Sequence, residues 1–338
     1  MRKNKFVILI VSFFAIFLGI WLWQGIYLPR SEFTLLRGFA KAENSQIKKS
    51  FLIEKGQGIE KISFNLRKED LIKNKWSFLV YIFLKGDSKK LQAGEYLLSP
   101  NQTIPEIAEK FVFGDVVKEK ITIIEGWNLR DIGWYFENKG ICQAEELYDQ
   151  AEELYGLKDL EGYLFPDTYE IRKSDTFEEI VKKMLDNFNE KLTSELREEI
   201  KNQGKTISEI ITMASLLEKE VRTNTDKKIV SGILWKRINH NIPLQVDATI
   251  VYITSKQTIK IPKEDLEIDS PYNTYKFRGL PIAPICNPGL ESIKAAIYPE
   301  DSDYFYYLST LEGKTIFSKT LKEHNIAKAR YLKYNGKN

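Results

Sequence analysis

An uncharged apolar stretch near the N-terminus constrains this chain more than any other feature. No Asp, Glu, Lys or Arg interrupts the sequence from Phe6 to Leu28, and a short basic segment, residues 1–5, precedes it. At about 1.5 Å per residue, a helix of this length crosses the roughly 30 Å hydrocarbon core of a bilayer. The sequence therefore predicts a transmembrane helix over residues 6–28.

The residues that end this stretch favour an uncleaved anchor over a signal peptide. A cleavage site needs small residues after the apolar core, whereas this chain has Trp21, Trp23 and Tyr27 there. Such amphipathic rings are enriched at the membrane interface. The basic residues at 1–5 favour a cytoplasmic N-terminus, although further basic residues after the stretch weaken the charge asymmetry. We therefore expect the chain from about residue 30 onward to lie on the extracytoplasmic side.

The remaining composition is that of ordinary globular domains. The 338 residues suffice for two or three domains, and 50 basic residues nearly balance 47 acidic ones. This balance argues against a nucleic-acid partner. Cys142 and Cys286 lie far apart in the sequence, as do His240 and His324. We therefore expect neither a metal site nor a cofactor, and dinucleotide and P-loop signatures are also absent.

Local patterns predict a small α+β module, after which the pattern changes. In residues 51–112, a strand is followed by two helices, a second strand and a third helix. The charged segment 113–120 is predicted to be a connection. A strand at 121–124 and a helix follow it, and Glu- and Lys-rich helices are expected within 143–158 and 175–203.

The helix predicted after Thr206 is apolar on nearly every side and ends in acids. Thr206 and Glu209 match a capping box, and the side chains of residues 210–217 predict burial. Glu218 and Glu220 follow in the last turn, where partial burial and the negative end of the helix dipole raise a carboxyl pKa. A general acid needs such a raised pKa. Periodicity does not choose between the two acids, and a purely structural pair bound to a nearby cation remains the alternative.

Several other short stretches combine polar, aromatic and turn-forming residues. They are Glu125-Gly126, Glu161–Tyr169, Leu244–Tyr252, Ser270–Tyr275, Gly279–Pro281, Pro284, Asn287–Gly289, Ser292–Ala296 and His324-Asn325. Together with Met213–Glu220, and in this order, they resemble the endolytic murein transglycosylase family, also called the YceG-like family. The resemblance covers roughly residues 50–335.

This resemblance implies an architecture and a reaction. It implies a linker and LysM-like module in residues 29–120 and a larger α+β catalytic domain in 121–335, held at the bacterial inner membrane. The implied reaction is that of a lyase, which cleaves the bond between N-acetylmuramic acid and N-acetylglucosamine in nascent strands. It leaves 1,6-anhydro ends, and the cleavage is endolytic. Peptidoglycan is the implied partner, with cell-wall synthesis enzymes as candidate protein partners. A non-catalytic, membrane-tethered peptidoglycan-binding scaffold is the alternative.

The resemblance also implies residue roles. It makes Glu220, the second acid of the Glu-Lys-Glu motif, the general acid and base. The candidates for substrate contact are Glu218, Gln245, Asp247, Thr249, Tyr272, Asn273 and Thr274.

Spacing adds an expectation for two of these groups. Gln245, Asp247 and Thr249 alternate, so they would share one face of a strand, and residues 272–274 are expected on a loop beside it. Turn or capping chemistry is the alternative for each of them.

Hydrolysis is the rival reaction. It would require a second carboxylate about 5 Å away or farther. Asp247 and Asp167 are the candidates for that role, so the reaction type is not decided by counting acids.

Overall fold

The computed structural model describes residues 16, 18–29, 48–144, 160–173, 175–256, 261–310 and 312–332. About half of the expected transmembrane helix, residues 6–15 and 17, lies outside these residues, and the helix expected within 143–158 lies almost entirely outside them. In the described part of the chain, no helix has the length and apolar character that a membrane crossing requires.

The structure divides into two compact units. The first covers Met1–Lys120 and Glu170–Asp175, and the second covers Ile121–Tyr169 and Thr176–Asn338, each within the described residues. Both units contain helices and short paired strands, so the expected mixture of helix and strand is confirmed.

The first unit packs a strand pair and three helices around one apolar core. Its elements are β1 (Lys49–Ile53), α1 (Ile59–Lys68), α2 (Lys75–Lys85), β2 (Gly94–Leu98) and α3 (Ile104–Phe113). β1 and β2 are antiparallel, with Phe51 opposite Tyr96. The ring of Phe111 from α3 contacts both of these aromatic side chains. The predicted order of strand, two helices, strand and helix is confirmed.

The second unit contains the helices and the remaining strands that carry the candidate site. Its elements, with two strands that begin or end in the first unit, are β3 (Lys118–Thr122), α4 (Leu129–Lys139), β4 (Thr168–Arg172), α5 (Phe177–Lys191), α6 (Ser194–Asn202), α7 (Ile207–Glu220), α8 (Asn224–Asn239), α9 (Asp247–Thr254), α10 (Leu290–Ile297), β5 (Tyr306–Ser309), β6 (Thr315–Ser318) and α11 (Leu321–Tyr331). β3 pairs with β4, and β5 pairs with β6. β3 begins at Lys118, inside the segment predicted as a connection.

Helix α7 forms the centre of this unit. Residues 210–217 are all buried, as their apolar character predicts, and α7 packs against α8, α9 and α10. Its start is the predicted capping box, in which the Glu209 N–H donates to Thr206 and the Thr206 N–H donates to Glu209. The helix ends at Glu220, because Val221 is extended. Glu220 therefore lies at the edge of the unit's core.

The strand expected for Gln245, Asp247 and Thr249 is wrong. Asp247 and Thr249 belong to the helix α9, and Gln245 precedes it in a left-handed conformation with φ of 54°. The Thr249 hydroxyl donates to the carbonyl of Val246, the residue that caps the helix. Because three alternating residues also fit the turn that leads into a helix, the pattern was too short to exclude this outcome.

Candidate active site

Glu220 lies where three segments that are distant in sequence meet. It is the last residue of α7, and its side chain is half-buried. The carboxylate accepts one hydrogen bond from the Tyr307 hydroxyl of β5 and one from the Ala248 N–H in the first turn of α9. The Ser309 hydroxyl also donates to the backbone carbonyl of Glu220 at 3.1 Å. β5 and α9 are thus both fastened to the end of α7.

Opposing interactions set the pKa of Glu220. Burial, followed by repulsion from Asp247, raises this pKa from 4.5 to about 7. The hydrogen bonds from Tyr307 and Ala248 act in the other direction, because they stabilise the ionised carboxylate. Ala248 donates from the first turn of α9, where the positive end of the helix dipole also favours the ionised form. The carboxyl group is therefore poised to give up and take back a proton near neutral pH.

Asp247 and two tyrosines complete the polar cluster around Glu220. The Tyr275 hydroxyl donates a hydrogen bond to the Asp247 carboxylate. Burial, together with the neighbouring carboxylates, raises the pKa of Tyr275 and of Tyr307. Both phenols therefore stay protonated over the physiological range and act as hydrogen-bond donors.

Arg237 joins the two segments that reach Glu220. Its buried guanidinium donates to the carbonyl of Leu244 at 2.7 Å, before α9, and to the carbonyl of Phe305 at 3.0 Å, before β5. The guanidinium charge also lowers the pKa of Tyr307, although burial and Glu220 outweigh this effect. Arg237 thus connects the entry to α9 with the entry to β5.

Three of these residues are not among the site residues predicted from the sequence. Tyr275 lies inside one of the motifs but was not selected from it, and nothing in the sequence marks Arg237 or Tyr307. The role of Arg237 depends on a contact with Phe305, 68 positions away, and Tyr307 is still farther from Glu220 along the chain.

Glu218, by contrast, is held in a separate buried cluster. Its carboxylate accepts hydrogen bonds from Lys227 at 3.0 Å, from the Ser292 hydroxyl at 2.6 Å and from the Gly289 N–H at 3.0 Å. The side chains of Glu218 and Lys227 are only 9% and 6% exposed. These contacts fasten α7 to α8 and α10. The structure thus gives Glu218 an internal role and places its carboxylate away from open space.

The other sequence-predicted residues fall into two groups. Thr249, Asn273 and Thr274 are buried. The Asn273 amide donates to the carbonyls of Leu266 and Ile268 at 2.9 Å. The hydroxyls of Thr249 and Thr274 lie 3.1 Å apart, so they fasten the loop at 270–275 to α9.

The second group is accessible to solvent. The side chains of Gln245 and Asp247 are exposed, and Tyr272 is half-buried. Asp167 is also exposed, and its carboxylate accepts a hydrogen bond from Asn187 of α5 at 3.1 Å. Of the two candidates for a second carboxylate, Asp247 is the one whose charge acts on Glu220. Within the described ranges, no group of three His, Cys, Asp or Glu side chains is arranged to hold a metal ion.

Comparisons with known proteins agree on one family. The profile described as "YceG-like family" matches residues 51–330. A Bacillus subtilis (strain 168) protein named endolytic murein transglycosylase is 34% identical over 303 residues, which cover 83% of this chain and 84% of that protein. A protein of the same name from Streptococcus pneumoniae (strain D39) is 31% identical over 312 residues, covering 81% of this chain and 56% of its own.

A solved structure is also similar. The crystal structure of a yceG-like protein from Listeria monocytogenes is 33% identical in sequence and superimposes with a TM-score of 0.56. The match covers 84% of this chain and 100% of that chain.

Proposed function

The chain belongs to the YceG-like family and is a lytic transglycosylase of peptidoglycan, as its relatives are named, and we propose that Glu220 is its single acid and base. The observation that carries this proposal is the balance at Glu220. Burial and Asp247 raise its pKa to about 7, while Tyr307 and Ala248 stabilise the ionised form. A group that must act as an acid and then as a base works best with such a pKa.

The first step is protonation of the leaving group. Protonated Glu220 donates to the glycosidic oxygen, and the bond from that oxygen to the anomeric carbon of the muramyl ring breaks. Positive charge then develops at the anomeric carbon. Asp247, whose carboxylate lies beside Glu220 and is oriented by Tyr275, would stabilise this charge electrostatically.

The second step uses the same carboxyl group as a base. Ionised Glu220 takes the proton from the muramyl C6 hydroxyl, and that oxygen bonds to the anomeric carbon. The product is a 1,6-anhydro end, and Glu220 is protonated again. No water is consumed, and no second carboxylate needs to form a covalent bond. The hydroxyl of Tyr307 and the N–H of Ala248 stabilise the carboxylate between the two steps.

The proximity of Asp247 also favours a second candidate reaction, hydrolysis. Glycoside hydrolases usually place two carboxyl groups beside the glycosidic bond that they cleave. The two reactions leave different ends, since hydrolysis gives reducing ends and the proposed reaction gives anhydro ends.

The setting of this chemistry is proposed from the sequence. We propose that residues 6–28 anchor the protein in the inner membrane and that residues 29–120 comprise a linker and a LysM-like module that binds glycan. Of the candidate substrate-binding residues, Gln245, Asp247 and Tyr272 have the exposure that direct contact requires. We propose that Glu218, Thr249, Asn273 and Thr274 support the site from within. Cell-wall synthesis enzymes remain the candidate protein partners.

Mass spectrometry of the products from purified peptidoglycan tests the reaction. We expect anhydro-muramyl ends from the parent protein and none above background from Glu220→Gln, which keeps the shape and removes the transferable proton. Glu195→Gln, a substitution of an exposed glutamate on α6, is the matched control and should cleave like the parent. Cleavage by Glu220→Gln at the parent rate would refute the role of Glu220. An inert parent protein that still binds glycan would support the scaffold alternative.

A further inference from the structure

The second unit contains a cavity of about 450 Å³, and neither Glu220 nor its hydrogen-bond partners line it. Its size is within the range of sites that bind small ligands. It is bordered by the start of α4, by α9 and by the loop at 270–275. The lining side chains include Leu129, Arg130, Glu161, Tyr252, Ile253 and Tyr272.

Two tyrosine rings give the cavity its aromatic wall. The ring centroids of Tyr252 and Tyr272 are 5.0 Å apart, with an angle of 49° between the planes. The Arg130 guanidinium lies 5.0 Å from the Tyr252 ring and donates to the Tyr252 carbonyl at 2.6 Å. The Tyr252 hydroxyl donates to the Glu161 carboxylate at 3.2 Å. These contacts hold Tyr252 at its backbone carbonyl and at its hydroxyl, so the ring is oriented without a bound ligand.

Glu161 supports this wall from beneath. Its side chain is almost completely buried, and its carboxylate also accepts hydrogen bonds from the Leu129 N–H at 3.2 Å and the Asn287 amide at 3.3 Å. With three donors already on its two oxygens, Glu161 acts as a support for Tyr252. Arg130, whose side chain is exposed, brings a positive charge to the rim of the cavity.

The same two segments that reach the Glu220 cluster also line the cavity. α9 places Ala248 against the Glu220 carboxylate and Tyr252 at the cavity, four residues later. At about 1.5 Å per residue, these positions are roughly 6 Å apart along the helix axis. The loop likewise carries Tyr275, which binds Asp247, and Tyr272, which lines the cavity. The cavity therefore lies about one turn of α9 away from the contact with Glu220.

We propose that the cavity binds one further acetamido-sugar ring of the glycan strand, beyond the two rings joined by the cleaved bond. This proposal rests on the proposed function. The aromatic faces of Tyr252 and Tyr272 suit the apolar face of a pyranose ring, while Arg130 and the Ser270 hydroxyl provide polar contacts for its hydroxyl and acetamido groups.

Binding measurements in a Glu220→Gln background test the subsite without cleavage. The probe is a preparation of glycan strands from which an amidase has removed all peptides. Tyr272→Ala, which removes one ring of the wall, should raise the dissociation constant about tenfold. Ile253→Trp, which narrows the cavity and leaves both tyrosines in place, should do the same. Tyr298→Ala removes a tyrosine that is 46% exposed and does not line the cavity, and it should bind like the parent.

Each outcome of these measurements supports or overturns the subsite. Unchanged affinity in Tyr272→Ala and Ile253→Trp, with melting temperatures equal to the parent's, overturns it. Strands that still carry peptides serve as a second probe, and loss of affinity for these strands alone also overturns the proposal, because the cavity would then bind the stem peptide. If Tyr272→Ala unfolds, the affinity of Ile253→Trp alone distinguishes the two results. Failure of the proposed function is seen separately, as cleavage by Glu220→Gln, and does not alter this binding comparison.

Discussion

Substitution of Glu220 by Gln should stabilise the fold above neutral pH even though it abolishes cleavage. The structure raises the pKa of this carboxyl from 4.5 to about 7. At about 1.4 kcal/mol per pH unit, that difference corresponds to roughly 3 kcal/mol of folding free energy. A neutral glutamine avoids this cost, and its carbonyl oxygen can still accept a hydrogen bond from Tyr307 or Ala248.

The direction of the pKa shift determines how the stability difference between Glu220→Gln and the parent changes with pH. Below pH 4.5 the Glu220 carboxyl is protonated in both the folded and the unfolded chain. No charge is then buried, so Glu220 does not lower the free energy of unfolding. Between pH 4.5 and about 7 the unfolded chain releases the proton that the folded chain keeps, so the free energy of unfolding decreases as pH rises. Above about pH 7 the carboxyl is ionised in both states, and the folded protein bears the full free-energy cost of the buried charge. The stability gained by Glu220→Gln should therefore grow from near zero at about pH 4 to about 3 kcal/mol at about pH 8.

Urea unfolding of the parent and the variant across this pH range measures the difference. Glu218→Gln is the contrasting variant, two residues away on the same helix. It leaves the buried Lys227 ammonium without its carboxylate, so it should destabilise the fold by about 3–5 kcal/mol. Parallel stability curves for Glu220→Gln and the parent over the whole range would show that the folded protein does not retain the Glu220 proton.

Three further substitutions test individual contacts. Asp247→Asn removes the repulsion that raises the pKa of Glu220, so the alkaline limb of kcat/KM should move to lower pH; a limb at the parent's position contradicts this. Tyr307→Phe removes a hydrogen bond to the ionised carboxylate, so the same limb should move to higher pH while kcat falls. Gly162→Ala places a methyl group 2.6 Å from Pro284 at a backbone φ of 88°. It should cost roughly 1–3 kcal/mol, measured as a lower melting temperature.

Local sequence patterns predicted those parts of the fold that depend on nearby residues. The capping box at Thr206 and Glu209 and the burial of residues 210–217 could both be predicted, because each follows from the pattern of one helix. The mixture of helix and strand and the order of elements in the first unit follow from the same kind of signal. The alternating residues before α9 gave a wrong prediction, because three positions do not separate a strand from a helix start.

The choice between Glu218 and Glu220 could not come from the helix that carries both. It depends on what the rest of the chain presents to each carboxylate. Glu218 meets an ammonium from α8 and a hydroxyl from α10, which together compensate its charge. Glu220 meets Asp247, whose charge opposes ionisation. Motif resemblance selected Glu220 without giving this reason, because the partners lie far along the chain.

The arrangement around Glu220 also explains why a carboxylate at Asp247 suits the proposed reaction. An acid that must later act as a base needs support in both protonation states, and burial alone supports only the neutral one. Asp247 raises the pKa of Glu220 without removing the donors Tyr307 and Ala248, so the ionised form keeps its stabilising contacts. When positive charge develops on the sugar, it lies near two carboxylates at once, and both of them attract it. The repulsion that costs stability in the free enzyme is therefore offset in the transition state.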